Sequence, residues 1–435
     1  MTFTARSDRQ FIRSTYRSNR FVLAQIDAPA APRERARPPV HLAFVIDRSG
    51  SMNGEKIRLA KLAVEESLAR LHDDDRFAIV VYDEVVDVVF PSTHATAEAR
   101  SDALARLTEI DARGSTDLGA GWLRGCEQVA LALSDEGVNR TLLLTDGLAN
   151  HGITDRDELA RHAAELRARG VSTTTFGVGQ DFDEVLLQAM ADAGGGHFYF
   201  IANAASIADY VTSEVGETLE IVARDVAVEV TAPEGVVVES LSPYPTNTSA
   251  GGRTTVILGD LVAEQRLQVV IRLNFPYGEI GDLTGALIAI TDREGVLGSA
   301  GAKLAWEYAD NRVNDGQDRD REVDRAVARI FAARARQEAV GYNRAGDYGG
   351  AREALSAVTR RIRDYAGRDT ELREIVADLE RESDRMAAPM PEMARKQAHY
   401  QASTSARMRS FDGKAMKRPH IGGRQSVSGR VNPRP

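Results

Sequence analysis

A single cysteine, Cys126, occurs in the 435 residues. No internal disulfide framework is available, and such usage fits a reducing compartment. Set in "WLRGCEQVALAL", this thiol reads as helix packing rather than as a nucleophile. No apolar run approaches the roughly 18 residues that a membrane-spanning helix needs, so no membrane span is expected. The opening stretch "MTFTARSDRQFIRSTYRSNR" is basic but lacks the apolar centre of a secretory signal, and the expected location is the cytoplasm. Lysine is scarce, at 56, 61, 303, 396, 414 and 417, with arginine supplying the other basic side chains. The formal net charge is −9, which argues against a nucleic-acid partner for the body of the protein. Also missing are HExxH, GxSxG, a Walker loop and a DxDx[TV] nucleophile, so no familiar hydrolase centre is signalled. His41, His72, His94, His151, His162 and His197 are scattered without ligand spacing and read as surface or packing residues.

What is present is an ordinary globular composition, 43% hydrophobic and 27% charged. Residues 1–39 hold one strand candidate, "NRFVLAQIDA" at 19–28, followed by the Pro/Arg linker "PAAPRERARPP". From 40 to 221 strands alternate with helices. The strand candidates are "VHLAFVID" (40–47), "RFAIVVYD" (76–83), "VVDVVF" (85–90), "RTLLLTD" (140–146), "VSTTTFGVG" (171–179) and "HFYFI" (197–201). This rhythm predicts an α/β domain with a doubly wound, mostly parallel six-stranded sheet. Residues 222–310 change to short strands between Pro, Gly and Asn turns, predicting a β-sandwich or small barrel with which the strand at 19–28 should pair. Residues 316–400 turn helical. A hairpin over 322–365 breaks at "NRAGDYGG", and Leu372, Ile375, Val376 and Leu379 mark a third helix. From 401 to 435 a Ser, Gly and Arg-rich composition predicts a disordered basic tail. Its serines, Ser403, Ser405, Ser410, Ser426 and Ser428, offer phosphorylation sites for a phosphopeptide-binding protein.

The chemistry concentrates in "HLAFVIDRSGSMNGEKIRLAKLAVEESL", residues 41–68. A buried strand ends in Asp47 and is followed by Ser49 and Ser51, directly before a helix. In a sheet ordered 3-2-1-4-5-6, ligands bind beyond the carboxyl ends of strands 1 and 4. Those strands end at Asp47 and Asp146, so two carboxylates distant in sequence converge there. The loop "RGSTDLGAGW" adds Thr116. Two carboxylates and three hydroxyls form an all-oxygen set that suits a hard cation, Mg²⁺ first, with Mn²⁺ or Ca²⁺ as alternatives. The absence of His and Cys disfavours zinc. Alternation in Asp-x-Ser-x-Ser puts the three side chains on one side of an extended loop, and Gly50 lets that loop turn closely. A plainer account has Asp47 and the serines capping the helix at 54–71 and Asp146 opening a turn at Gly147. Three separate loops meeting at one switch point favour the metal. Asp83, Glu84 and Asp117 read as solvated loop acids, and Trp122 as core.

"FVIDRSGSM", "GSTDLGAG" and "LLLTDGLAN", in that order, resemble the three segments of the metal-ion-dependent adhesion site of von Willebrand factor type A domains. The resemblance covers about 40–220. It implies metal ligation by Ser49, Ser51 and Thr116 through their hydroxyls, with Asp47 and Asp146 bound directly or through water. One coordination position then stays open for an Asp or Glu of a partner protein. The β and helical regions resemble, more loosely, bacterial relatives of inter-alpha-trypsin-inhibitor heavy chains and calcium-activated chloride channel proteins, "VILGDL" (256–261) being the best local match. The implied function is a metal-dependent protein-binding scaffold, not an enzyme. The alternatives are a partner subunit of an AAA+ ATPase and a Mg²⁺-dependent phosphatase-type hydrolase.

Overall fold

In the computed structural model, which describes residues 2–31, 37–249, 251–298 and 300–418, three strands precede the α/β unit. They are β1 (Thr2–Ser7), β2 (Phe11–Arg13) and β3 (Ser18–Asp27). Only β3 was legible in the sequence, because β1 and β2 are short and carry charged residues on their half-exposed faces.

The α/β unit runs β4 (Val40–Asp47), α1 (Glu55–Leu68), β5 (Arg76–Tyr82), β6 (Val86–His94), α2 (Ala97–Thr108), α3 (Leu118–Ala130), β7 (Val138–Thr145), α4 (Arg156–Ala168), β8 (Ser172–Val178), α5 (Glu184–Gly194), β9 (Gly195–Ile201) and α6 (Ile207–Leu219). Its six strands lie in the order β6-β5-β4-β7-β8-β9. All pair in parallel except the edge strand β6. Along β4 and β5 the side chains alternate between two cores. Leu42, Phe44, Ile46, Phe77, Ile79 and Val81 pack with α1 and α6, whereas Ala43, Val45, Ala78, Val80 and Tyr82 pack with α3. Burial on both faces explains why these strands read as unbroken apolar runs. Helix α3 lies very close to the sheet, since a Cβ added at Gly125 would stand 2.2 Å from Val45 Cγ2. This contact fixes the helix that follows the Thr116 loop.

Beyond the α/β unit come β10 (Ile221–Thr231), β11 (Val237–Ser240), β12 (Thr246–Thr248), β13 (Arg253–Val262), β14 (Arg266–Phe275), β15 (Leu283–Thr291) and β16 (Gly301–Ala309). With the N-terminal strands they build two sheets, β1-β3-β14-β11 and β12-β13-β10-β15-β16-β2. Strand β3 pairs antiparallel with β14 from Ser18↔Phe275 to Asp27↔Arg266. Val22, Ala24 and Ile26 face Val228, Val230, Ile288 and Trp306 across the sandwich. At the junction with the α/β unit, Ala263 N donates to Glu220 O and Glu264 N to Pro29 O, both at 2.9 Å.

The chain then turns helical through α7 (Asn311–Gly316), α8 (Arg321–Arg344), α9 (Tyr348–Ala366), α10 (Thr370–Met386) and α11 (Glu392–Ala406). Helix α8 covers the outer face of β3 and β14, where Val323, Val327 and Ile330 meet Phe21, Leu23 and Val270. Helix α11 docks on the α/β unit through Lys396, whose Nζ donates to Glu184 Oε2 at 2.7 Å and to the Phe182 carbonyl. No helix among the described residues is long and apolar enough to cross a membrane.

The expected disorder of 401–435 is corrected for its first part. Residues 401–406 complete α11, and 407–418 return as an ordered strap across the sandwich and the α/β unit. Arg266 N donates to Met416 O at 2.7 Å, and Ala415 N to Glu217 Oε1 at 2.7 Å. Buried Arg409 donates to Glu217 at 2.6 Å and to the Tyr199 hydroxyl at 3.1 Å. Composition counts the basic charges of the strap but cannot see that α6 supplies their acids. Ser403 is buried in α11, and the half-buried Ser410 hydroxyl is bonded to Asp412 and the Lys414 carbonyl. Ser426 and Ser428, with the remainder of 419–435, lie outside the described residues.

Candidate metal centre

Strand β4 ends at Asp47, β7 at Thr145 with Asp146 next, and these strands are neighbours at the point where the sheet order reverses. Both carboxylates are fully buried. Asp47 Oδ1 accepts from Ser49 N at 2.8 Å, and its Oδ2 accepts from the Thr145 hydroxyl at 2.7 Å. Ser49 Oγ and Ser51 Oγ are 3.2 Å apart, and Ser51 Oγ donates to Asp146 Oδ1 at 2.6 Å. The first loop is therefore tied to the third through side chains.

The second loop is tied to the first through the backbone. Gly50 N donates to Gly114 O at 3.2 Å and Arg113 N to Arg48 O at 2.7 Å. Gly114 takes a positive φ of 67°, which lets the chain turn against Asp83 and leads into Thr116. Thr116 is buried, and its hydroxyl lines the same hollow. A Cβ added at Gly147 would sit 3.4 Å from Thr116 Oγ1 and 3.9 Å from Asp47 Oδ2. The structure thus brings all five singled-out residues, Asp47, Ser49, Ser51, Thr116 and Asp146, to one place.

The electrostatics favour a cation there. Burial pushes the Asp47 carboxyl up, opposed by hydrogen bonds from Ser49 and Thr145 and reinforced by the charge of Asp146. Below them the Tyr82 hydroxyl is fully buried beside Thr145 and the Asp47 carboxylate. Burial and then the Asp47 charge hold that phenol far above its usual range. Two adjacent buried carboxylates with three hydroxyls beside them, one ammonium (Lys56) resting on Asp146, match the oxygen-only donor set of a hard divalent ion.

Several neighbours differ from the sequence reading. Asp83 is not a solvated acid. It is buried and accepts from Arg48 Nε at 3.0 Å and Arg113 Nε at 2.8 Å. Burial would raise its carboxyl, but the Arg113 hydrogen bond and the Arg48 charge bring it below the usual range. Asp117 caps α3 through Ala120 N at 3.0 Å. Trp122 agrees with the sequence reading and is core, its indole N–H bonded to Thr173 at 3.1 Å. Lys56, unremarkable in the sequence, donates through Nζ to Asp146 Oδ2 and, at 3.3 Å, to the Ser51 carbonyl. A Lys five residues after Ser51, in the first turn of the helix, was the signal that could have found it.

A second cluster, His197, Glu214 and Glu217, has atoms close enough to hold an ion. Arg140 donates to Glu214 at 2.9 Å and Arg409 to Glu217 at 2.6 Å, while His197 Nε2 lies 2.9 Å from Arg409. Guanidinium groups already compensate those acids, so the cluster is read as an ion network that anchors the strap.

The family model for the von Willebrand factor type A domain matches residues 41–213. YfbK of Escherichia coli is 32% identical over 211 residues, covering 48% of this chain and 36% of that protein. Inter-alpha-trypsin inhibitor heavy chain H1 of Mesocricetus auratus is 29% identical over 175 residues, 38% of this chain and 19% of that one. The chain thus spans well under two thirds of the length of these relatives. Among solved structures, a von Willebrand factor type A protein from Catenulispora acidiphila superposes with a TM-score of 0.71 at 19% identity, over 96% of this chain and 97% of that one. The ArnB paralog VWA2 of Sulfolobus acidocaldarius gives 0.61 at 15% identity over 94% and 98%. The likeness in fold therefore extends through the sandwich and the helices as well as the α/β unit. Sheet order, connectivity and family match agree, and residues 41–213 belong to the von Willebrand factor type A domain family.

Proposed function

We propose that the chain is a divalent-metal-dependent protein-binding module that captures an acidic side chain of a partner protein. The observation that carries this reading is the convergence of Asp47, Ser49, Ser51, Thr116 and Asp146 from three loops, linked by the Ser51–Asp146 bond. Ser49, Ser51 and Thr116 would hold the ion through neutral hydroxyls, with Asp47 and Asp146 bound directly or through water. An ion so held keeps much of its positive charge, and Mg²⁺ commonly retains exchangeable waters. A partner Asp or Glu replaces one of them. Mg²⁺ is the ion we favour, with Mn²⁺ or Ca²⁺ as substitutes. The set contains no histidine, cysteine or activated nucleophile, which supports binding rather than catalysis. The buried, unpaired Cys126 fits a cytoplasmic setting.

Calorimetric titration with Mg²⁺, Mn²⁺ and Ca²⁺, followed by pull-down from the native organism with and without EDTA, tests the reading. Wild-type protein takes up one ion per chain, and the partner is lost with EDTA and restored by metal. Asp47→Ala and Ser51→Ala bind at least tenfold more weakly, a loss of about 1.4 kcal/mol or more. Undiminished binding by Asp47→Ala refutes the site. Metal-dependent phosphatase turnover that Asp47→Ala abolishes would replace the binding function with an enzymatic one.

A further inference from the structure

Lys56 stands inside the candidate centre yet belongs to none of the loops that supply its oxygens. It lies in the first turn of α1, with its side chain 28% exposed, and its Nζ is bonded to fully buried Asp146. The opposite wall is Gly179 at the end of β8, where an added Cβ would lie 4.0 Å from Nζ. Among the described residues no other cationic group forms an ion pair with Asp47 or Asp146. Arg48 and Arg113 are committed to Asp83 and Asp87, and His151 pairs with Asp117. Glu84 is engaged by the Ser115 hydroxyl at 3.2 Å. The local sum is therefore two carboxylates against one ammonium.

We propose that Lys56 is a tethered competitor for the divalent ion, and that it makes capture of the ion and capture of an external carboxylate interdependent. This inference rests on the metal reading above. A divalent ion entering the hollow meets one net negative charge with Lys56 present and two without it, so the lysine weakens uptake of the bare ion. Screening by salt does little to cancel the effect, because the carboxylates are buried. Once an anionic group joins the ion, the repulsion between ion and ammonium is offset, and Lys56 becomes an attraction for the newcomer. Linkage makes the coupling reciprocal: carboxylate tightens ion binding by the factor by which ion tightens carboxylate binding. The site then rests with Lys56 on Asp146 and discriminates against ions that arrive without an acidic partner.

The test is a Mn²⁺ titration read by the electron paramagnetic resonance of free ion, with and without sodium acetate as the carboxylate probe. It uses the full chain as wild type, Lys56→Gln, Lys56→Arg and Asp47→Ala, with thermal unfolding to establish that each variant is folded. Lys56→Gln binds Mn²⁺ alone about tenfold more tightly than wild type, as expected from doubling the net charge that the ion meets. Lys56→Arg keeps the charge and stays near the wild-type affinity. Acetate tightens Mn²⁺ binding by wild type and does so less in Lys56→Gln. Equal or weaker binding by Lys56→Gln overturns the competition and leaves the metal reading intact. Equal acetate effects in wild type and Lys56→Gln overturn the interdependence, and tightening by Lys56→Arg to the level of Gln overturns the charge argument. Absence of Mn²⁺ binding in every protein overturns both the inference and the reading beneath it.

Discussion

Replacing Lys396 by Met tests how the helical region is fastened to the α/β unit. Lys396 and Glu184 are 2% and 3% exposed, and their 2.7 Å bond joins α11 to the start of α5. The ammonium also lies 4.4 Å from the Phe182 ring centroid. Breaking a buried pair costs about 3–5 kcal/mol, because the surviving charge is stranded. Arg344 still reaches Glu184, which places the expected loss at the lower end. The carboxyl gives an upper figure, since Lys396 and Arg344 lower it together. Burial alone would raise it, but the Lys396 hydrogen bond, then Arg344, bring it from 4.5 down to about 2. At roughly 1.36 kcal/mol for each pH unit, this shift is worth about 3 kcal/mol. A carboxyl depressed on folding contributes stability above its unfolded value, and that contribution is lost as pH falls through the folded one. The penalty of Lys396→Met, measured by urea unfolding, should therefore be full at neutral pH and shrink between 4.5 and about 2. In a double-mutant cycle, Glu184→Gln with Lys396→Met costs clearly less than the sum of the two single changes. A loss below about 1 kcal/mol at neutral pH, or additivity in the cycle, would refute the reasoning.

Two further outcomes follow from packing. Gly125→Ala forces a methyl against Val45 Cγ2 and lifts α3 from the sheet; it should cost about 2–3 kcal/mol by urea unfolding. Cys126 is buried, with its thiol pushed up to about 12 by burial; it should ignore a thiol reagent in native protein and react fully once the chain is denatured.

The central strands β4 and β5 were legible because burial on both faces makes them nearly unbroken apolar runs, and two loops of the candidate centre because they begin where β4 and β7 stop. That β3 joins the sandwich was legible from exclusion, since a strand at 19–28 had no seat in a parallel sheet, whereas its neighbours β14 and β1 were not. What escaped the sequence depended on partners far along the chain. Lys56 looks like a surface lysine until Asp146 is placed beside it. Asp83 looks solvated until Arg48 and Arg113 close on it. Arg409 and its strap look disordered until Glu217 arrives from α6. Charge is local in sequence, whereas its neutralisation is a property of the fold.

The backbone bonds at the sandwich junction bear on the order of assembly. Pro29 and Glu220, the residues flanking the α/β unit, both hydrogen-bond to the consecutive pair Glu264 and Ala263. The domain is thus an insertion whose two ends leave and re-enter its host at a single point. During synthesis β3 is complete long before β14 exists, and the intervening domain can mature first. Once the β13–β14 turn is made, its bonds to Pro29 and Glu220 bring β3 beside β14, and a domain already folded between them shortens the loop that this step must close. The same geometry makes the inserted unit a natural segment to excise, leaving a gap that a short linker can bridge.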